Sequence, residues 1–287
     1  MKRSKYLIMF IASMVIWGAN GLLVANISLS SAEIVLLRTF LGTLFLIAVV
    51  MVKRSFSFSD LKADLLPASI GGAALGLNWV FLFAAYRTAG VSLSTLTYYC
   101  GPILVLALSP ILFKEKLTWS KIIAVIAVAI GMLCITGNVE LGTEVSKGLI
   151  YGGGAALLYA VIIVSSKQVN RLSGLNCAAY ELVIAFIVVL LYVVFSGIKV
   201  PVIPAKSDIV YVLIIGLVST GLAYYLYFSS LQKLPGQTVA LICYVDPLTA
   251  LLVSAAFLGE LLLPVQIIGA VLILGGAVLG ELKFKNK

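Results

Sequence analysis

Apolar positions in this chain neither alternate with a strand's period of two nor form the one-sided stripe of a soluble helix. They run in blocks of about twenty, separated by short polar segments. At the length that crosses a bilayer, the blocks predict ten transmembrane helices: Tyr6–Ile27, Ala32–Val52, Leu65–Tyr86, Ser92–Phe113, Trp119–Gly137, Gly148–Ser166, Asn176–Gly197, Ile209–Leu231, Thr238–Leu258 and Val265–Leu282. The expected fold class is an all-α integral membrane protein, with joining segments too short for a soluble catalytic domain. The opening "MKRSKYLIMFIASMVIW" has the basic start of a signal peptide. Its apolar run outlasts an h-region and more spans follow, so it is expected to be a retained first helix.

Lys and Arg give the blocks a direction. With the N-terminus inside, the inner segments hold 15 basic residues, while the outer ones hold only Arg87, Lys147, Lys199 and Lys206. This bias predicts that both termini are cytoplasmic. The net charge of +9 is then a matter of topology and anionic lipid, and needs no nucleic-acid partner. Residues are 62% hydrophobic, more than a soluble domain of this size can hide, so a polytopic membrane protein is expected. The four cysteines fall within spans without metal-ligand spacing and read as small apolar fillers. There is no histidine, so any proton chemistry falls to carboxylates. No metal or cofactor is expected.

The chain is also written twice. Shifted by 145 residues, Gly71–Met132 aligns without gaps on Gly216–Ala277: Gly71 meets Gly216, Tyr99 meets Tyr244, Pro102 meets Pro247, Glu115 meets Glu260 and Gly131 meets Gly276. Glycines, prolines and a glutamate carry backbone and charge constraints, so these matches weigh more than shared leucines. Earlier in the chain the shift is about 142, placing Trp17 opposite Tyr159. Two units of five spans, 1–140 and 146–287, must enter the membrane from opposite sides. They are therefore expected to be inverted repeats, the architecture of alternating-access transporters.

Five plus five spans, "VIWGAN" around Trp17-Gly18 in the first span, "LLRTF" around Arg38 in the second, and the ending "PILFKEKLTW" echoed by "AAFLGELLLP" resemble the drug/metabolite transporter superfamily, EamA type. The resemblance spans nearly the whole chain. It implies secondary transport of small metabolites such as amino acids or amines, with export as the direction, and no enzymatic activity.

Asp246 leads the candidate residues. A carboxylate at the bilayer midplane costs about 2.5–3.5 kcal/mol on insertion scales and normally faces a cavity. Pro247 beside it frees a carbonyl one turn earlier, and Pro102 does the same in the first half; both are read as helix hinges. A midplane acid can bind a proton or a substrate cation, or rest neutral against a neighbouring helix. Arg38 lies too deep to snorkel, and its repeat partner falls near Glu181. The two can form a salt bridge or each hold one end of a zwitterion, with Glu33 as a resting partner for Arg38. Tyr99, Tyr244, Trp17 and Trp79 supply aromatic walls and Asn78 an amide, although packing alone explains any one of them. Glu115 and Glu260 are read as structural, each complementing the N-terminus of the helix that follows it. Gly72/Gly76 and Gly276/Gly280 have GxxxG spacing, which suits packing within a monomer or a weak homodimer.

No phosphate-binding GxxxxGK and no Ser/His/Asp set is present, which argues against an ATP-driven pump or a hydrolase. The expected function is a secondary transporter for a small metabolite in the plasma (inner) membrane of a bacterium, alternating access, with protons as the candidate coupling ion through Asp246 or Glu181. Arg38 and Asp246 in one cavity favour a zwitterion. Asp246 and Glu181 with aromatics, and Arg38 paired away, favour a cationic amine or multidrug exporter. An importer is the third transporter reading. A lipid flippase would instead show a lateral groove with polar walls.

Overall fold

Helix starts are set by side chains that accept the unpaired first N–H groups. At Ser30 the hydroxyl accepts from Glu33 N–H while the Glu33 carboxylate accepts from Ser30 N–H at 2.8 Å, a reciprocal capping box. Ser173 caps a second helix in the same extended conformation, accepting from Asn176 N–H. The computed structural model describes residues 2–24, 26–116, 118–136, 145–200, 202–257 and 263–281. Over these the chain forms α1 (Lys2–Gly18), α2 (Asn20–Val24), α3 (Ser31–Lys53), α4 (Phe58–Tyr98), α5 (Cys100–Leu112), α6 (Trp119–Thr136), α7 (Val145–Gln168), α8 (Gly174–Phe195), α9 (Ile209–Leu213), a π-helical segment (Ile214–Leu222), α10 (Ala223–Leu231), α11 (Gly236–Ile242), α12 (Val245–Phe257) and α13 (Pro264–Glu281). No strand occurs among the described residues.

Among the described residues seven stretches are long and apolar enough to cross a membrane, and three further apolar helices, Cys100–Leu112, Trp119–Cys134 and Ile267–Gly276, are shorter. Large apolar side chains such as Val52, Ile111 and Phe195 stand outward, where only lipid can solvate them. The protein is a multi-pass membrane protein.

The elements differ from the expected spans in three places. The first span is bent at Ala19, directly after Trp17-Gly18. Helical turns continue through the expected loop at 87–91, so that α4 takes in two of the expected spans between Phe58 and Tyr98. Asn78 and Tyr98 nevertheless line one small cavity. Twenty residues of straight helix would hold them about 30 Å apart, so α4 doubles back between them. Finally, the breaks before α5 and α12 fall at Tyr99 and at Cys243–Tyr244, and both Pro102 and Pro247 sit in the first turn of the helix that follows. A first-turn proline forfeits no helical hydrogen bond, so each proline starts a helix where it was expected to interrupt one.

Glycines set the closest approaches. A Cβ on Gly131 would lie 2.6 Å from the Gly269 carbonyl oxygen, and one on Gly276 would lie 2.8 Å from the Ala124 carbonyl oxygen. Helices α6 and α13 therefore touch backbone to backbone, with Gly131 against Gly269 and Ile273 and Gly276 against Ala124 and Val128. Gly72 and Gly76 press α4 onto Glu181 and Val188 of α8, so this GxxxG pair packs within the chain. Two carboxylates tie loops across the sequence. Asp64, on α4, accepts from the backbone N–H groups of Asn170, Arg171 and Leu172 at 3.2, 2.6 and 2.7 Å. Asp208, before α9, accepts from Ser28 N–H at 2.9 Å and from the Ser28 hydroxyl at 2.5 Å.

Candidate functional site

The break at Cys243–Tyr244 brings Asp246 to the start of α12, against α1. A Cβ on Gly18 would meet the Asp246 carbonyl oxygen at 2.5 Å, so only glycine allows α1 to lie this close. The Asp246 side chain is hydrogen-bonded to Tyr99. The Tyr244 hydroxyl in turn donates to the Tyr99 carbonyl at 2.7 Å, with the two rings 6.0 Å apart. The two breaks thus meet through tyrosines 145 positions apart.

Met14, Trp17, Tyr98, Tyr99, Tyr159 and Asp246 surround a cavity of about 30 Å³. A second, also of about 30 Å³, shares Trp17, Tyr98 and Tyr159 and adds Asn78, Trp79, Tyr224 and Tyr227. Each has room for about one water molecule. The site is closed.

Arg38 reaches this aromatic cage from α3. Its Nε donates to the Thr220 hydroxyl at 3.0 Å, and its guanidinium lies over the Trp79 ring, 5.3 Å from the centroid. The Trp17 indole N–H donates to the Ser219 carbonyl at 2.8 Å. Both contacts end on the π-helical segment, where the Thr220 hydroxyl bonds back to the Ile215 carbonyl. Such segments misalign the backbone ladder and expose groups to side-chain partners. Arg38 feels Tyr224, Asp246 and Tyr98 electrostatically, yet among the described residues no carboxylate is in ion-pair contact with it. Glu33 is occupied by the α3 capping box.

Glu181 is elsewhere. It is 0% exposed, lines neither cavity, and accepts from the Ser166 hydroxyl at 3.1 Å and the Cys177 thiol at 3.2 Å. The expected Arg38–Glu181 bridge is not formed, because each side chain is held by other partners. Asn78 spends its amide on the Ala155 carbonyl, tying α4 to α7 at 2.6 Å. Glu115 accepts from Gly236 and Gln237 N–H at 2.6 and 3.1 Å. It caps α11 from the far side of the sequence, and the helix that follows it, α6, is not its partner. Glu260 lies outside the described residues.

The structure therefore groups Asp246, Tyr99, Tyr244, Trp17, Trp79, Asn78 and Arg38, and sets Glu181 apart. Sequence reasoning passed over Ser219 and Thr220, whose signal was a small polar pair between Gly216 and Gly221 in an otherwise apolar span. Tyr98 and Tyr159 are also central, lining both cavities; the sequence pointed to Tyr159 through its repeat position opposite Trp17 and to Tyr98 only as the neighbour of Tyr99. Among the described residues no group of three or more His, Cys, Asp or Glu side chains is placed to hold a metal.

Against known proteins, the chain is 27% identical over its full length to a transporter of unassigned substrate from Bacillus subtilis, YxxF, covering 92% of that relative. It is 26% identical to the threonine/homoserine exporter RhtA of Escherichia coli, over 81% of this chain and 75% of the relative. A solved crystal structure superposes with a TM-score of 0.84 at 20% identity, covering 96% of this chain and 97% of the other, which establishes the fold. The family model described as "EamA-like transporter family" matches twice, at residues 4–137 and 146–280. The chain belongs to the EamA-like transporter family.

Proposed function

We propose that the protein exports a small zwitterionic metabolite of the amino-acid class across the cell membrane by alternating access. The observation that carries this reading is that Arg38 and Asp246 reach one aromatic cage without being paired to each other. A cation and an acid held apart, each on a neutral hydroxyl, are matched to the carboxylate and ammonium of an amino acid. A cationic drug would leave Arg38 without a purpose and repelled by the ligand. The lateral cavity of about 500 Å³ between α3 and α8 has mainly apolar walls, unlike the polar groove a flippase needs. Export takes its support from the Escherichia coli relative.

The frame for this is ten spans in two inverted five-helix repeats, 1–140 and 146–287, with both termini cytoplasmic. Several repeat-related contacts support it. Ser30 and Ser173 cap equivalent helices, Asp64 and Asp208 clasp equivalent loops, and Gly131 and Gly276 exchange the same contact. A contact that is its own mirror under the repeat is what a two-fold axis produces. Cavities that hold about one water each belong to a closed state, so entry requires the halves to rock apart at the breaks that Pro102 and Pro247 follow. Proton coupling runs through Asp246 or Glu181.

The test is thermal stabilisation of wild type, Arg38→Gln and Asp246→Asn by a panel of L-amino acids, aromatic amines and quaternary ammonium ions. A ligand at a hundred times its Kd adds about 2.7 kcal/mol. The expected result is stabilisation of wild type by an amino acid, lost in both variants. Stabilisation by an amine that survives Arg38→Gln and is lost in Asp246→Asn overturns the zwitterion reading in favour of a cation exporter.

A further inference from the structure

Glu181 has no part in the cage, yet it is the most completely enclosed acid among the described residues. Its surroundings are unusual for a carboxylate. Oε1 receives the Ser166 hydroxyl and the Cys177 thiol, and Oε2 has no hydrogen-bond partner. A Cβ on Gly71 would lie 2.9 Å from both oxygens, so the carboxyl group rests flat on the bare backbone of α4.

Charged and titratable groups on every element packed against it are otherwise engaged. On α8, Cys177 is one of its own donors. On α4, Asp64 is saturated by three backbone N–H groups. On α7, Lys167 donates to the Leu234 carbonyl and faces the Phe113 ring. On α3, Arg38 is bound to Thr220. On α10, Tyr224 packs on Trp17 and Trp79.

An anionic carboxylate fully enclosed by protein, with no cation in contact with it, bears a large desolvation penalty. Two weak neutral donors on one oxygen do not offset it, and the bare second oxygen is where a proton belongs.

We propose that Glu181 is the proton-binding site of the transporter, loaded in the closed state and separate from the Arg38–Asp246 substrate cage. Glu181 lies about 10 Å along α8 from the helix start at Gly174. There a polar cavity of about 460 Å³ opens, lined by Lys5, Arg171, Ser173, Gly174, Gln232 and Lys233 among others. Gln232 lines that cavity, and Cys177, in the first turn of α8, donates to Glu181. Parting α4 from α8 at Gly71 and Gly72 hydrates the carboxyl group from this end and releases the proton. Four cations on the cavity, Lys5, Lys167, Arg171 and Lys233, favour the anion left behind. Two sites then divide the work, with Asp246 meeting substrate and Glu181 the coupling ion. This rests on the transport reading above.

Infrared spectroscopy tests the site without any substrate. At neutral pH the wild type shows a protonated-carboxyl C=O band. That band is absent in Glu181→Gln, kept in Asp246→Asn, and shifted in frequency in Gly71→Ala, where a methyl group presses on the carboxyl. A wild-type spectrum that Glu181→Gln leaves unchanged, with the melting temperature intact, overturns the proposal. In proteoliposomes, Glu181→Gln should abolish accumulation of labelled L-amino acids driven by a pH gradient while retaining exchange at equal pH. Equal loss of both assigns Glu181 to structure and refutes it. A wild type that moves no amino acid refutes the substrate reading instead, and the infrared result stands independently.

Discussion

Replacing Gly18 by alanine puts one methyl group into the contact between α1 and α12. Its Cβ falls 2.5 Å from the Asp246 carbonyl oxygen, 2.5 Å from Thr249 Cβ and 3.0 Å from Ala250 N. Non-bonded carbons rest about 3.5–4.0 Å apart, so the helices must part by about 1 Å. Two of the three clashing atoms are backbone, and no side-chain rotation relieves them. Overpacking of this kind costs about 1–3 kcal/mol, and it falls on the closed state, in which the helices touch. Against an open–closed equilibrium that is about a 5–150-fold gain in open molecules. Cys243 reports it: the thiol is 4% exposed and lines the closed cavity. In a chain carrying C100S, C134S and C177S, maleimide modification of Cys243 should accelerate by about that factor in Gly18→Ala. An unchanged rate would refute the reasoning, since it would mean that α1 against α12 is not what seals the cage. A lower melting temperature with an unchanged rate would say the same, because the strain would then have fallen on both states alike.

Other contacts make independent predictions. Glu115→Gln weakens the cap on α11 by replacing two charge-assisted hydrogen bonds, with a loss of about 1.5–3 kcal/mol to be read as a lower midpoint of thermal or denaturant unfolding. Gly131→Ala and Gly276→Ala each meet a carbonyl oxygen of the facing helix, Gly269 and Ala124 in turn, so their melting temperatures should fall together, and a large effect of one with none of the other would break the proposed two-fold relation. Asp208 is held below the usual carboxylate range by the Ser28 hydroxyl, then by Ser28 N–H and the Ser207 hydroxyl. A carboxyl lowered by folding stabilises above its unfolded value, and that stability is lost as pH falls through the folded value. Thermal stability at neutral pH should therefore be lower in Ser28→Ala than in wild type, with a smaller further loss on acidification, and Asp208→Asn should lack this contribution at every pH.

The all-helical, multi-pass character of the chain was legible because bilayer thickness constrains composition over about twenty residues, whereas the bounds were not: one helix runs from Phe58 to Tyr98 across two expected spans. What failed was inference of contact from repeat position. Tyr99 and Tyr244 are equivalent and touch. Arg38 and Glu181 fall near one another's place in the repeat and do not, because each is held by other partners, Thr220 and Trp79 for Arg38 and Ser166 and Cys177 for Glu181. Glu115 was recognised as a helix cap, but the helix it caps lies 121 residues away, and no local pattern names a partner at that range. The π-helical turn was hidden for a related reason. Its benefit, anchoring Trp17 and Arg38, is realised between elements some 200 and 180 residues apart. Asp64 and Asp208 drew no notice in the sequence, because the loops they hold lie over 100 residues away.

The clasp on Ser28 also sets a schedule. Its carboxylate is encoded 180 residues later, and Thr220, which receives Arg38, comes 182 residues after its partner. At about 5–20 residues per second, a ribosome needs about 10–40 s to supply either. For that interval the nascent first half sits in the bilayer with an open loop at one face and a guanidinium without its hydroxyl acceptor. The Ser28 clasp and the Arg38 anchor therefore close only after the chain has been made as far as Thr220.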